Sequence, residues 1–189
     1  PGTNVTGTTD MNPVKEQIDL LVKLVPDAKT VGVLYTSSED NSILQAKLAK
    51  EAIEALGLKY VEVTVSNSNE VQQATQAIVG QCDAIYIPTD NIFASAMPIV
   101  HGVTSESKTP VICGESGMVK SGGLATLGIN YYDLGYQTGL MAVKVLRGEA
   151  EPATMPIESA TGFDFAINGT VAKEIGLEIP DDLKQYVFE

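Results

Sequence analysis

Two patterns of hydrophobic residues alternate along most of the chain: short continuous apolar runs, and longer segments with apolar residues every three or four positions. Runs such as Thr30–Tyr35 (TVGVLY) and Ala84–Ile87 (AIYI) are rich in β-branched or aromatic residues, as is typical of strands covered on both faces. Between such runs, apolar residues recur at three- and four-residue spacing, which predicts helices. This alternation predicts βαβ units. Because their crossovers are right-handed, we expect an open, doubly wound parallel α/β sheet of the Rossmann-like kind.

The elements predicted from these patterns cover most of the chain. The strands are predicted at Thr30–Tyr35, Tyr60–Val65, Ala84–Ile87, Thr109–Cys113, Leu124–Gly128 and Phe163–Ile167. The long helices are predicted from a cap at Thr9 or Asp10 to Val25, and then at Ser42–Leu56, Glu70–Val79, Asn91–Ser105 and Tyr131–Leu146. Two short helices separated by Pro180 are predicted for the tail at 170–186.

Composition and charge narrow the possible functions. The chain has 189 residues and a net charge of −12, with no basic cluster, so no nucleic-acid partner is predicted. It has one His and no Trp, so the chain has few of the histidine side chains that a zinc site or a His-based catalytic triad uses. The glycine motifs that cradle nucleotides are missing, so neither a metal nor another cofactor is predicted. Cys82 and Cys113 lie in apolar surroundings and are expected to be buried, unpaired thiols.

Polar segments follow four of the predicted strands. In an open α/β sheet, ligands bind beyond the carboxyl ends of the strands, and helix starts there favour an anion such as a carboxylate. Acidic side chains in the same loops could accept an ammonium, so the set predicts a site for a zwitterion. The alternative is that the polar residues only cap helices. The four segments are Thr36–Ser42, Pro88–Asn91, Gly114–Met118 and Gly128–Asp133.

Enzymatic interpretations find less support in the sequence. The segment Gly114–Met118 (GESGM) is close to a nucleophile elbow, but its second glycine is one place early. The single histidine, His101, lies inside a predicted helix. Asp90 is placed like the phospho-acceptor of a receiver domain, although Glu39-Asp40 and Lys120 only roughly match the acidic pair and lysine required. We therefore expect a protein that is not an enzyme.

Four stretches resemble the tryptophan/tyrosine-type substrate-binding proteins of ABC transporters. The similarity runs in order from Thr3 to about Leu183. It implies a two-lobed type I periplasmic-binding fold that takes an aromatic amino acid or a related small molecule and delivers it to a permease and its ATPase. It also implies export, with a lipid anchor in Gram-positive bacteria. The stretches are NVTGTTDMNPVKEQIDLLVKLVPDAKTVGVLYTSSEDNS, VSNSNEVQQATQAIVGQCDAIYIPTDN, GESGMVKSGGLATLGINYYDLGYQTG and VLRGEAEPATMPIE.

The resemblance also implies a domain division and a set of ligand-binding residues. It implies an interlobe linker at 1–9, a C-terminal α/β lobe at 10–128, a crossover helix at 129–150 that packs on the N-terminal lobe, and a return segment at 151–189. That N-terminal lobe is absent from this sequence, so this chain by itself is expected to bind ligand weakly or not at all. The ligand-binding residues implied are Ser38, Glu39, Asn41, Ser42, Thr89, Asp90, Asn91, Glu115 and Asp133.

Two alternative functions remain open for a chain with this predicted fold. The same fold forms the effector-binding core of sugar- and purine-responsive repressors, and a receiver-like domain or small hydrolase is the enzymatic alternative. The helix Tyr131–Leu146 is apolar over much of its surface, so it is expected to pack against other elements on more than one side. We therefore expect it to dock against a second chain as a dimer, or to fold back onto its own sheet edge.

Overall fold

The computed structural model describes residues 2–189, and these form two compact units. The larger unit comprises Pro13–Gly128 and Phe165–Glu189, and the smaller one comprises the residues up to Asn12 together with Ile129–Asp164. The implied division at 9, 128 and 150 stays a prediction. In the structure, residues 151–164 are grouped with the smaller unit and 165–189 with the larger one.

The elements alternate as the sequence pattern predicts. Strand Ala84–Ile87 and helix Tyr131–Leu146 have the predicted bounds, and most others differ by one or two residues. The helices are α1 (Val14–Leu24), α2 (Asp40–Ala55), α3 (Val71–Val79), α4 (Asn91–Ser107), α5 (Ser116–Lys120), α6 (Tyr131–Leu146) and α7 (Gly169–Ile175), with 3-10 turns at Ser68–Glu70 and Asp181–Tyr186. The strands are β1 (Thr8–Thr9), β2 (Thr30–Thr36), β3 (Lys59–Val65), β4 (Ala84–Ile87), β5 (Val111–Cys113), β6 (Ala125–Ile129), β7 (Glu158–Ser159), β8 (Phe163–Asn168) and β9 (Val187–Phe188).

The main sheet has the order β3-β2-β4-β5-β6-β8-β9. The pairs β2–β3, β2–β4, β4–β5 and β5–β6 are all parallel. The chain leaves β2 for β3 on one side and later returns to add β4 on the other. That reversal is the topological switch point, where ligands of open α/β sheets bind.

The sheet is mostly, but not wholly, parallel. Asn168 N donates to Leu124 O and Asn130 N donates to Gly162 O, so residue numbers rise along β8 as they fall along β6. Strand β8 is thus antiparallel to β6, and β9 is parallel to β8. The predicted parallel sheet is therefore confirmed for β3, β2, β4, β5 and β6, whereas β8 runs in the opposite direction to β6. Between these two strands the chain passes through the smaller unit instead of making a single βαβ crossover.

Two apolar cores cover the two faces of the sheet. Helices α1, α2 and α7 pack on one face around Ile18, Ile53 and Tyr86. Helices α3, α4 and α5 pack on the other around Phe93 and Met97. Helices on both faces confirm the predicted doubly wound α/β class.

The first helix begins later than its sequence predicts. Neither Thr9 nor Asp10 caps it; α1 begins at Val14, and Pro13 precedes it without a side-chain cap. Residues Thr8–Thr9 instead form β1, which pairs with β7 in the smaller unit. Proline suits a helix start because its missing N–H has no partner within the first turn in any case.

The smaller unit is built around α6 and the β1–β7 pair. Thr8 and Thr138 share a 2.6 Å hydroxyl hydrogen bond, and Gln137 Nε2 donates to Glu158 Oε2 at 2.8 Å. Only Met141 is buried among the residues of α6. Among residues 2–189, no helix is both long enough and apolar enough to span a membrane.

Candidate functional site

Three of the polar segments lie together at one edge of the sheet. They are Thr36–Ser42 (the first loop), Pro88–Asn91 (the second loop) and Gly114–Gly117 (the third loop), and we call them jointly the loop edge. Each follows one of the neighbouring parallel strands β2, β4 and β5, so the prediction of a common edge is confirmed.

Asp90 ties the first loop to the second from inside the protein. Its side chain is 2% exposed. Oδ2 accepts from Thr36 N at 2.7 Å, and Oδ1 accepts from Thr36 Oγ1 at 2.8 Å and from Phe93 N at 3.0 Å. The last bond caps α4, as the capping interpretation predicts. A carboxylate so enclosed is poorly placed to be an exposed phospho-acceptor, which removes the main support for the receiver-like alternative.

Glu39 and Asn91 make a second connection, nearer the surface. Glu39 Oε2 accepts from both Asn91 N at 3.1 Å and Asn91 Nδ2 at 2.9 Å. Glu39 is half-buried and Asn91 is exposed. Within the described chain, the other carboxylate oxygen, Oε1, has no hydrogen-bond partner.

The backbone of Thr89 is held from three positions on α2. Its carbonyl accepts from Asn41 Nδ2 at 2.8 Å and from Ser42 Oγ at 3.3 Å, and its N–H donates to Gln45 Oε1 at 3.2 Å. Ser42 is buried, whereas Asn41 is exposed. The main chain of Thr89 therefore adds a connection between the second loop and α2, beside the side-chain bonds of Asp90 and Asn91.

The third loop is closed by its own carboxylate and by close backbone packing. Glu115 accepts from Gly117 N at 2.7 Å and Met118 N at 2.8 Å, and so caps α5 with both oxygens. A Cβ on Gly114 would lie 2.2 Å from Thr89 N. Only glycine allows the second and third loops to approach this closely.

The remaining predicted residues differ in position. Ser38 is exposed at the tip of the first loop. Asp133 is exposed in the first turn of α6, where its N–H donates to Asn130 Oδ1 at 3.1 Å. It belongs to the smaller unit. The structure thus brings eight of the nine predicted residues to the loop edge, as follows: Ser38, Glu39, Asn41, Ser42, Thr89, Asp90, Asn91 and Glu115.

Sequence reasoning missed several polar residues that hold the loop edge. The sequence position of Thr36 does not indicate a role for it, yet its N–H and its hydroxyl both donate hydrogen bonds to Asp90. Gln45 and Gln17 are buried on α2 and α1. A detectable signal existed, because both glutamines occupy positions at apolar helical spacing where Leu or Ile is expected.

Of the two thiols that the sequence predicts to be buried, Cys113 is buried and Cys82 is only half-buried. Burial raises the pKa of the fully buried Cys113 thiol and raises that of Cys82 to about 11. Both cysteines are free. His101 lies inside α4, and its Nε2 is 3.3 Å from Glu174 Oε2 on α7. Within residues 2–189, no group of three or more His, Cys, Asp or Glu is arranged to hold a metal ion.

Comparison with known proteins identifies the class of protein to which this chain belongs. The family described as ABC transporter substrate binding protein matches residues 1–189, and the chain belongs to that family. Membership favours a binding component of a transporter over the core of a repressor.

Three relatives illustrate the similarity. A tyrosine-binding protein of Clostridioides difficile is 38% identical over 94% of this chain and 51% of its own length. An ABC domain from Streptococcus pneumoniae, solved in complex with L-Trp, is 39% identical with a TM-score of 0.90, covering 100% of this chain and 66% of that one. A conserved domain protein from Vibrio cholerae is 36% identical with a TM-score of 0.91, covering 99% of this chain and 63% of that one.

The matched regions are only part of these relatives. The chain spans about half the length of the curated relatives that it matches, namely 51% and 54%.

Proposed function

We propose that this chain is the C-terminal lobe of the solute-binding component of an ABC importer. In this proposal, the protein binds tryptophan, tyrosine or a related small molecule between two lobes and delivers it to a membrane permease and its ATPase. The observation that carries the proposal is the loop edge itself: three polar loops locked side by side at the switch point of the sheet. The relatives named for tyrosine and solved with L-Trp support the ligand class.

Glu39 is the side chain that we propose for the ligand's ammonium group. It is half-buried at the loop edge, and its Oε1 has no partner in the described chain. The charge-assisted bond it could accept is of the strong kind. Asn91 holds Oε2 from the opposite side, so the carboxylate is already oriented before a ligand arrives.

The start of α2 is the group that we propose for the ligand's carboxylate. Glu39 precedes this 16-residue helix without a side-chain cap, whereas Asp90 caps α4 and Glu115 caps α5. Uncapped helix N–H groups favour an anion. Ser38 and Asn41 are exposed beside this helix start and could add neutral hydrogen bonds.

The other predicted residues support the site from behind. The side chains of Asp90 and Ser42 and the main chain of Thr89 form hydrogen bonds to a neighbouring loop or to α2. We propose that they hold the geometry of the loop edge without touching ligand. Asp133, in the smaller unit, stays a predicted ligand-binding residue.

The apolar face of α6 suggests what completes the protein. Several of its large side chains are exposed, including Tyr132 at 81% and Leu146 at 85%. We propose that an N-terminal lobe covers this face in the whole protein, and that a second copy of the chain covers it when that lobe is missing. We also propose export to the outer face of the cell membrane, with a lipid anchor, as the mode of action of such an importer component requires.

Calorimetric titration of the whole two-lobed protein with the standard amino acids tests this function. We expect saturable binding of L-Trp or L-Tyr. Glu39→Gln should weaken that binding about tenfold, because a charge-assisted hydrogen bond is replaced by a neutral one. Glu174→Gln, an exposed carboxylate on α7, is the matched control and should leave the affinity unchanged. Absence of binding by both aromatic amino acids would refute the ligand class, and an unaffected Glu39→Gln variant would refute the ammonium site.

A further inference from the structure

A buried amide on α1 connects three strands of the main sheet. Gln17 is 0% exposed. Its Oε1 accepts from Tyr86 OH at 2.7 Å, and its Nε2 donates to Gly114 O at 3.1 Å and to Leu127 O at 2.9 Å. Each of its two N–H donors therefore has an acceptor, and a single side chain joins β4, the start of the third loop, and β6.

The partners of Gln17 lie directly beneath the loop edge. Tyr86 is the penultimate residue of β4 and stands two residues before the second loop. Gly114 is the first residue of the third loop, and it precedes Glu115, which caps α5. Because burial raises the pKa of the Tyr86 phenol, its hydroxyl stays protonated and remains a donor to Gln17.

Gly114 is held through both of the peptide groups that flank its Cα. Its N–H donates to Ile87 O at 2.8 Å, and its carbonyl accepts from Gln17. Its Cα packs so closely on the second loop that an added Cβ would be 2.2 Å from Thr89 N. Small rotations of the Gly114–Glu115 peptide group would therefore change the spacing between the second and third loops, and Gln17 is the side chain that opposes such rotation.

We propose that Gln17 is a positioning residue for the ligand site, which fixes the third loop against the second through the carbonyl of Gly114. The inference rests on the proposed function, in that the loop edge binds the ligand. An apolar residue at this place on α1 would fill the same volume but leave the carbonyls of Gly114 and Leu127 without donors. Buried acceptors without partners are costly, so the loop would be expected to shift until water reached them.

Gln17→Met is the decisive variant, because methionine is close in size and cannot donate a hydrogen bond. Hydrogen exchange measured on the whole protein without ligand should be faster at the amides of Gly117 and Met118, which Glu115 caps in the third loop. Affinity for L-Trp or L-Tyr should fall on the order of tenfold, since a loosely supported site binds less well. Gln17→Glu, which keeps an acceptor for Tyr86 OH but loses both donated bonds, should not restore either property.

Two further variants keep the test independent of overall stability. Thr104→Val removes a buried hydrogen bond to Val100 O inside α4, far from Gln17 in sequence, and should leave loop exchange and affinity unchanged. Tyr86→Phe removes one bond of Gln17 and keeps the two donated ones, so it should cause a smaller change in the same direction. It also replaces Gln17→Met as the test if that variant does not fold.

The two readouts separate this inference from the proposed function. If the wild-type protein binds neither aromatic amino acid, the proposed function fails, while exchange at Gly117 and Met118 still decides whether Gln17 positions the loop. If Gln17→Met lowers stability but changes neither exchange nor affinity relative to Thr104→Val, Gln17 is only a core residue and the inference is overturned.

Discussion

Helices α1 and α6 have similar apolar spacing and very different surroundings. Six of the 11 residues of α1 are buried, whereas Met141 alone is buried among the 16 residues of α6. On α6, a single apolar face carries Tyr132, Tyr136, Leu140, Val143 and Leu146, all exposed. Amphipathic spacing identifies a helix and the face that needs cover, but it does not say what provides the cover.

The same contrast separates the loop edge from the smaller unit as a whole. Asp90, Gln45 and Gln17 place buried polar groups against the backbone of the loops. In the smaller unit, the bonds of Thr8, Gln137 and Asn130 are exposed or half-buried. Buried hydrogen bonds in low dielectric resist opening better than exposed ones. We therefore expect the loop edge to be rigid and the smaller unit to depend more on association, and the following variants test that difference.

The largest effect is expected at the contact between the second and third loops. Gly114→Ala should destabilise the protein by about 3 kcal/mol or more, since its Cβ would collide with the backbone of Thr89. Denaturant unfolding would measure this. Gly102→Ala is the matched control: nothing lies within 4 Å of its Cβ position inside α4, so a gain of about 0.5–1 kcal/mol is expected. Equal effects of the two variants would contradict a rigid loop edge.

The next effect concerns the buried carboxylate of Asp90. Asp90→Ala should lower the free energy of unfolding by about 2–4 kcal/mol, because Thr36 N, Thr36 Oγ1 and Phe93 N lose their acceptor. Affinity should also fall, through displacement of the first loop. The exposed neighbour Asn91→Ala should cost less than about 1 kcal/mol. A stable Asp90→Ala variant with unchanged affinity would show that these bonds do not hold the edge.

A smaller effect is expected on association through α6. Sedimentation of the present chain should reveal a dimer, and Leu140→Glu should weaken dimerisation at least about tenfold, or about 1.4 kcal/mol, by placing a charge in the apolar face. Leu56→Glu, at the end of α2, replaces a leucine of similar exposure (46% against 50%) and should have no effect. A wild-type chain that remains monomeric at all concentrations would remove the proposed second copy.

The smallest effect concerns pH and the edge of the sheet opposite the loops. Hydrogen bonds from Lys29 N and then Thr30 N hold the pKa of the exposed Asp83 carboxyl below its ordinary value. The stability that this carboxylate adds is therefore present above about pH 4 and is lost as pH falls through the lowered pKa. Comparing urea unfolding at pH 7 and pH 3, Asp83→Asn should remove about 0.5 kcal/mol of that change. An Asp83→Asn variant with the same pH dependence as the wild type would show that these two hydrogen bonds add no stability.

The identity of most elements was predictable because it depends on local pattern. The apolar runs of β2 and β4 and the helical spacing of α2 and α6 each reflect a period that is visible in a short window. The common edge of the three loops was also predictable, because parallel strands place their carboxyl ends together. The start of α1 and the antiparallel direction of β8 were not, since both depend on partners distant in sequence, namely β7 for Thr8–Thr9 and β6 for β8.

The roles of individual polar residues were decided by the tertiary structure. The sequence by itself determined that Glu39, Asp90 and Glu115 would lie in loops on one edge of the sheet. It could not determine that Asp90 would be enclosed, that Glu115 would use both oxygens on its own helix, or that Glu39 would keep one oxygen without a partner. Burial and hydrogen-bond partners are set by chain segments some 50 to 100 residues away, as with Thr36 and Asp90 (54 residues) or Gln17 and Gly114 (97 residues). The spacing of residues within a short segment does not reveal contacts between segments so far apart in sequence. Only the folded chain therefore distinguishes the residues that hold the loops in place from those whose polar atoms remain available to a ligand.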